Sequence, residues 1–294
     1  MVLANHQTVV VGVDGSPNSV AAVHWATTLA ERLSSPLHIA IAVQEPTFLL
    51  AESPNVVPTE VWGRQRHNAA ELVAELSESI GRTHPSVTVT TQVDSVSAAE
   101  MLTTLSRTSR LVVVGNSGTG MLASNLLGST AKKIADTAAC PVVVWRAGAH
   151  ADDAPIVVGV DGSATSEAAV AQAFELASLF AVSLVAVHTW NSISHGGAVA
   201  FPGFVDWSAV ENEEALLLSE SLAGWTEKYP DVQVEHVLQQ SSPAPTLVEL
   251  SSRAQLVVVG SRGRGAIARA LLGSTSSNLA HHAQCPVMIC RDAQ

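Results

Sequence analysis

The sequence predicts an α/β protein built from two tandem doubly wound domains, each a five-stranded parallel sheet in the order 3-2-1-4-5. Three observations carry that prediction. Val9 to Ser16 reads VVVGVDGS and Ile156 to Ser163 reads IVVGVDGS, an internal repeat offset by 147 residues. LVVVG recurs at 111–115 and 256–260, each time followed by a glycine-rich loop, and Cys140-Pro141-Val142 recurs as Cys285-Pro286-Val287, both offset by 145. Between these marks, apolar runs of strand length alternate with segments of helical periodicity; strands apolar on both faces require helices on both faces. The change of offset places a two-residue deletion in the second copy, between its first and fourth strands. The repeats define domains at 1–146 and 155–294, with the hydrophilic, Ala/Asp-rich stretch 147–154 as linker.

Within the first copy, Thr8 to Asp14 is the first strand, and Ser16-Pro17 supplies an N-cap followed by proline at the first helical position. Val23, Ala26, Ala30 and Leu33 recur at helical spacing, matched by Val170, Ala173, Ala177 and Phe180 in the second copy. Leu37 to Val43 is the second strand. A proline-bearing loop through Pro46, Pro54 and Pro58 leads to a polar amphipathic helix ending near Arg82. Val87 to Val93 alternates as a third strand, a short helix runs to about Thr108, and 111–115 is the fourth strand. The glycine loop, a helix from about Ser129 and a last strand Val142 to Trp145 complete the copy.

Composition narrows the function classes. The chain is 47% hydrophobic with 14% charged residues, which suits two packed cores, and no apolar run approaches the length of a bilayer span. A net charge of −11 removes the basic patch that nucleic acid or an anionic membrane rewards, so neither is an expected partner. The N-terminus has no basic, cleavable leader, and three cysteines form no disulfide framework, so a cytoplasmic location is expected. The last strands, Val142-Val143-Val144 and Val287-Met288-Ile289, are apolar edges that invite pairing, so they are expected to pair with each other or across chains in a pseudo-twofold unit; an internal pseudo-dimer and a homodimer both satisfy this, and a homodimer is the expected partner state. The eleven histidines show no H-x-x-x-H or H-E-x-x-H spacing, so no protein-held metal is expected.

In such sheets a ligand sits beyond the carboxyl ends of the strands, at the switch point between strands one and four. Gly12 and Asp14 end strand one, as Gly159 and Asp161 do in the second copy. After strand four come Gly115, Gly118, Gly128, Ser129 and Thr130, and in the second copy Gly260, Arg262, Gly263, Gly273, Ser274 and Thr275. A glycine loop between a buried strand and a helix start can turn backbone N–H groups toward phosphate oxygens. Ser129 and Ser274 are candidate N-caps at that end. The duplication at identical internal spacing favours a ligand site over plain turn chemistry, and a hydrogen bond to ribose or to an adenine edge suits Asp14 and Asp161. Gly118 to Ala123 and Gly263 to Ala268 also fit G-x-G-x-x-A, but they follow the fourth strand and not the first, which is the wrong context for a dinucleotide fingerprint. No G-K-S/T triplet and no G-x-S-x-G elbow occurs. Only the second loop carries arginines, Arg262, Arg264 and Arg269, so the two sites need not be equal.

G-x2-G-x9-G-S/T after a fourth strand, with V-D-G-S closing the first, resembles the universal stress protein family, in its tandem-domain, ATP-binding form. The alanine-rich composition and preference for arginine over lysine look like an actinobacterial member. The resemblance covers nearly the whole chain and implies the adenine nucleotide α-hydrolase-like fold, with one adenine nucleotide, ATP, in each crevice; apart from the resemblance, Mg²⁺ on the phosphates is compatible with the sequence, because such an ion keeps several waters and needs few carboxylates. The resemblance implies that Asp14 and Asp161 meet the nucleoside, that the glycines approach ribose and phosphates, that Ser129, Thr130, Ser274 and Thr275 cap the phosphate end, and that Ala42 and Thr189 meet adenine. It further implies a regulator acting through protein partners, with slow hydrolysis at most; no general base stands out near the terminal phosphate. A hydrolase or adenylyl-transfer enzyme of the same superfamily is the alternative, against which the missing S-G-G-x-D-S loop counts, and a nucleotide-free scaffold is another.

Overall fold

The computed structural model describes residues 7–44, 59–118, 127–148, 153–190, 206–264 and 272–291. The chain divides into two compact units, Met1–Val142 and Val143–Gln294. The loop bearing Pro46, Pro54 and Pro58 and both glycine-loop centres, 119–126 and 265–271, lie outside the described residues.

In the first unit, β1 (Val9–Val13), β2 (Leu37–Ala42), β3 (Val89–Asp94) and β4 (Leu111–Gly115) form a parallel sheet in the order β3-β2-β1-β4. The amide of Val112 donates to Pro141 O where the chain enters β5 (Val142–Trp145). The central strands read VVVGV and LVVVG and are buried almost throughout, because helices cover both faces. Each fully buried valine contributes about 1.5–3 kcal/mol relative to exposure. α1 (Pro17–Arg32) starts as its sequence dictates, with the Ser16 hydroxyl accepting from Ser19 N–H and proline in the first turn. It lays Val23, Ala26 and Ala30 on the sheet with no exposure, the small residues allowing close approach. α2 (Thr59–Thr83) buries Ala69, Val73, Leu76 and Ile80 along one stripe, with Leu72, Ser77 and Ser79 half-buried beside it. α3 (Ala98–Leu105) is capped by Ser97, and α4 (Ser129–Thr137) follows the glycine loop.

The second unit repeats the plan: β6 (Ile156–Gly159), β7 (Leu184–Trp190), β8 (Val234–Gln240), β9 (Leu256–Gly260) and β10 (Val287–Cys290) run β10-β9-β6-β7-β8. Read in each copy's own numbering this is the order 3-2-1-4-5, as the repeat and strand pattern predict. Its helices are α5 (Ala164–Phe180), α6 (Trp207–Lys228), α7 (Pro243–Leu250) and α8 (Ser274–His282). Here α5 and α6 meet through aromatic rings, Phe174 stacking near Trp225 and Tyr229 at 6.4 and 6.1 Å between centroids. Among the described residues no helix is long and apolar enough to cross a membrane.

Both first helices end on a left-handed residue that is not glycine, Ser34 at φ 48° and Ala181 at φ 55°, at the same position of the repeat. A Cβ there costs conformational energy that glycine avoids. Ala181→Gly is expected to raise stability by about 1 kcal/mol in urea unfolding. All three cysteines are buried, and burial pushes the Cys285 thiol up to about 12 and Cys290 higher still. Neither Cys285 nor Cys290 is therefore expected to react with a thiol reagent at pH 8 in the native protein, while both react once denaturant is added; rapid labelling of the folded chain at either position would contradict this burial.

Candidate functional site

The site begins where β1 and β4 stop. Val9 to Gly12 pair in parallel with Leu111 to Val114, so the chain leaves the sheet at Asp14 and at Gly115 side by side. The turn after Asp14 is fixed by its own chemistry. Gly15 takes φ 82°, Ser16 N–H donates to Asp14 Oδ1 at 3.0 Å, and Asp14 N–H donates to Ser19 Oγ at 3.2 Å. The second unit repeats each contact: Gly162 has φ 71°, Ser163 N–H donates to Asp161 Oδ1 at 3.0 Å, and Asp161 N–H donates to Ser166 Oγ at 3.0 Å.

Each carboxylate then reaches the facing glycine loop. A Cβ on Gly263 would stand 2.6 Å from Asp161 Oδ2, and one on Gly118 would collide with Asp14 Oδ2 in the same way. Arg264 N–H donates to Asp161 Oδ2 at 3.3 Å. The loop's long excursion is closed at its base, where Gly128 N–H donates to Asn116 O and Gly273 N–H to Ser261 O, both at 2.7 Å. The G-x2-G-x9-G spacing thus has a physical meaning: one glycine accepts the carboxylate against its Cα, and the last returns the chain to the start of the loop.

Two cavities result, of about 470 Å³ in the first unit and 480 Å³ in the second. The first is lined by Gly12, Asp14, Ala42, Gly115, Gly118, Gly128, Ser129 and Thr130 among others. The second is lined by Gly159, Asp161, Thr189, Gly260, Arg262, Gly263, Gly273, Ser274 and Thr275 among others. The structure therefore brings every candidate residue of each copy to one crevice. One expectation is corrected: Ser129 and Ser274 are not N-caps but the first helical residues, the caps being Gly128 and Gly273, which have no side chain to offer. The first-turn N–H groups of α4 and α8 thus have no side-chain cap, unlike those of α1, α3, α5 and α6, and the positive pole of each helix faces its cavity.

Sequence reasoning missed the walls. Met101 and Leu102 close the first cavity, and Pro243 and Leu247 the second. Leu102 presses so close that a Cβ on Gly12 would meet its Cδ1 at 2.8 Å. Ser19 and Ser166 were legible as a serine five residues after each aspartate. The loop tethers were not: Asn18 Nδ2 donates to Asn116 Oδ1 at 3.2 Å and to Ser117 Oγ at 2.7 Å, whereas Thr165 Oγ1 donates to the backbone oxygen of Arg262 at 2.5 Å. Nor was a buried pair behind the second cavity. His188 Nδ1–H donates to Val160 O at 2.6 Å, and its Nε2 lies 2.5 Å from Glu214 Oε2.

The family model described as "Universal stress protein family" matches residues 5–146 and 154–291. Universal stress protein Rv2005c of Mycobacterium tuberculosis is 40% identical over an alignment of 298 positions that covers 97% of each chain. A universal stress protein of Mycolicibacterium smegmatis is 37% identical over 295 positions, covering 98% of each. Among solved structures, a universal stress protein from Archaeoglobus fulgidus superposes with a TM-score of 0.68 at 15% identity, covering 98% of this chain and 99% of that one. A Pseudomonas aeruginosa protein described as functionally unknown gives 0.68 at 14%, covering 99% and 94%. Both structural likenesses speak to the fold alone.

The paired glycines ending β4 and β9 differ in how tightly they are held. A Cβ on Gly260 would meet Thr165 Oγ1 at 2.6 Å, Thr165 C at 2.9 Å and Ser166 N at 3.0 Å, while on Gly115 the nearest atoms are Asn18 C and Ser19 N at 3.4 Å. Gly260→Ala is therefore expected to cost about 1–3 kcal/mol by forcing α5 off the sheet, and Gly115→Ala under about 1 kcal/mol. Urea unfolding of the two variants checks the order.

Proposed function

The chain belongs to the universal stress protein family, and from that premise we propose that it is a cytoplasmic ATP-binding regulator that holds one adenine nucleotide in each of two domains, 1–146 and 155–294. The observation that carries the reading is the convergence, twice over, of a carboxylate, a glycine loop and an uncapped helix N-terminus on a cavity of nucleoside size. In this reading the adenine lies against the apolar wall near Ala42 or Thr189, the ribose hydroxyls meet Asp14 or Asp161, and the phosphates lie on the glycine loop and the first turn of α4 or α8. Asp14 and Asp161 suit this role because their turns already fix the carboxylates in place, so little ordering is left to the ligand.

Among the described residues no group of three or more His, Cys, Asp or Glu could hold a metal ion. Mg²⁺ accompanying the nucleotide would be held through its phosphates, facing the first turns of α4 and α8, and would supply charge neutralisation there. Bound ATP acts as a ligand that sets a regulatory state, read by protein partners, and any hydrolysis is slow. Binding bridges three segments that the fold already holds side by side: the turn after the first strand, the loop after the fourth, and the following helix. A ligand contacting all three favours the arrangement in which they are together, which is how occupancy becomes a state other proteins can recognise. The chain is taken to act as a homodimer.

Freshly purified protein, denatured and analysed by chromatography, is expected to release close to two adenine nucleotides per chain. Gly118→Asp and Gly263→Asp, each pushing a second carboxylate against Asp14 or Asp161, are each expected to remove one of the two. Protein that releases none and shows no thermal shift with Mg-ATP would overturn the nucleotide reading, and multiple turnover in a phosphate-release assay would turn it into that of an enzyme.

A further inference from the structure

The two crevices share a backbone plan but not a charge. From Gly115 to Ala131 the sequence has no lysine or arginine, whereas the matching stretch Gly260 to Ser276 has Arg262, Arg264 and Arg269. Among the described residues lining the cavities, the first has a single charged side chain, Asp14, and the second has Asp161 balanced by Arg262. The cations that follow on α4 do not make up the difference, because neither Lys132 nor the exposed Lys133 lines the cavity. Lys132 Nζ pairs with the buried carboxylate of Asp136 at 3.0 Å, one turn farther from the helix N-terminus. In the second unit Arg264 also lies over the β6 turn, where a Cβ on Gly162 would stand 2.7 Å from its Nη2.

The contrast originates in how each loop is tethered. In the first unit the loop is held by its side chains: Asn18 takes up Asn116 and Ser117, so position 117 must be a small hydrogen-bonding residue. In the second unit Thr165, at the position of Asn18, holds the loop through the backbone oxygen of residue 262. A backbone tether does not dictate the residue type at 262, and there it is an arginine that lines the cavity.

We propose that the second crevice reads the phosphate chain of its nucleotide while the first is indifferent to it. Guanidinium groups reward each added phosphate with charge-assisted hydrogen bonds. In the first crevice the helix N-terminus and loop amides offer partial charges only, opposed by Asp14, so ATP, ADP and AMP bind alike. The protein would then report adenine nucleotide of any phosphorylation state through one site and the triphosphate through the other. This rests on the adenine-nucleotide reading of both cavities.

The test is calorimetric titration of two full-length variants, Gly263→Asp to isolate the first site and Gly118→Asp to isolate the second, with ATP, ADP, AMP and inorganic tripolyphosphate. The first site should bind the three nucleotides within about three-fold of one another, and the second should weaken by about ten-fold or more from ATP to AMP. Arg262→Gln with Arg264→Gln, changes at a partly exposed and an exposed position, should flatten the second site's preference while circular dichroism shows the fold retained. Exchanging the tether, by Asn18→Thr with Ser117→Arg, should impose the preference on the first site. Equal ladders in the two crevices, or none in the second, would overturn the inference. Should no nucleotide bind either variant, the adenine reading fails by itself, and tripolyphosphate decides this one: binding to the second site alone upholds it, and binding to both or neither refutes it.

Discussion

Both crevices depend on the parallel register of the first strand against the fourth. Val11 opposite Val113, and Val158 opposite Val258, place the aspartate turn and the glycine loop at the same edge of the sheet although about a hundred residues separate them. That register brings Asp14 to Gly118 and Asp161 to Gly263, where each carboxylate lies against the facing glycine. The core sets the geometry, and the polar groups at the strand ends make use of it.

Above that shared core, the two units solve the same problem with different polar chemistry. Both must pin a long glycine-bounded loop at its base, and both do so with an amide-to-carbonyl bond into Asn116 or Ser261. They then differ in the lateral tie, side chain to side chain from Asn18 and side chain to backbone from Thr165. A tie that consumes side chains restricts the residues around it, and a tie through the backbone does not. The arginines of the second loop become possible at that point.

A second departure between the copies lies in the core. At the strand position where the first unit has the buried Ile41, the second has His188, buried between Val160 O and Glu214. Burying such a pair costs desolvation that an aliphatic residue avoids, and the first unit shows that the fold accepts the aliphatic solution. What the pair adds is a fixed link from α6 to the backbone immediately before Asp161, at the rim of the second cavity.

The sequence by itself determined the architecture and which residues would meet in the two crevices. Repeats such as VVVGVDGS and LVVVG are local, and strand periodicity and glycine spacing are written in neighbouring residues, so the two tandem five-stranded copies and the candidate residues from Gly12 to Thr275 were readable. The tertiary structure decided what sequence neighbours cannot: that Gly128 and Gly273, and not the serines after them, cap the helices; that Leu102 and Leu247 wall the cavities; and that Asn18 and Thr165 tether their loops from about a hundred residues away. Helix and strand tendencies arise from a residue's own backbone and its near neighbours. A side-chain hydrogen bond or a cavity wall exists only once the packed core has fixed which distant residues face each other.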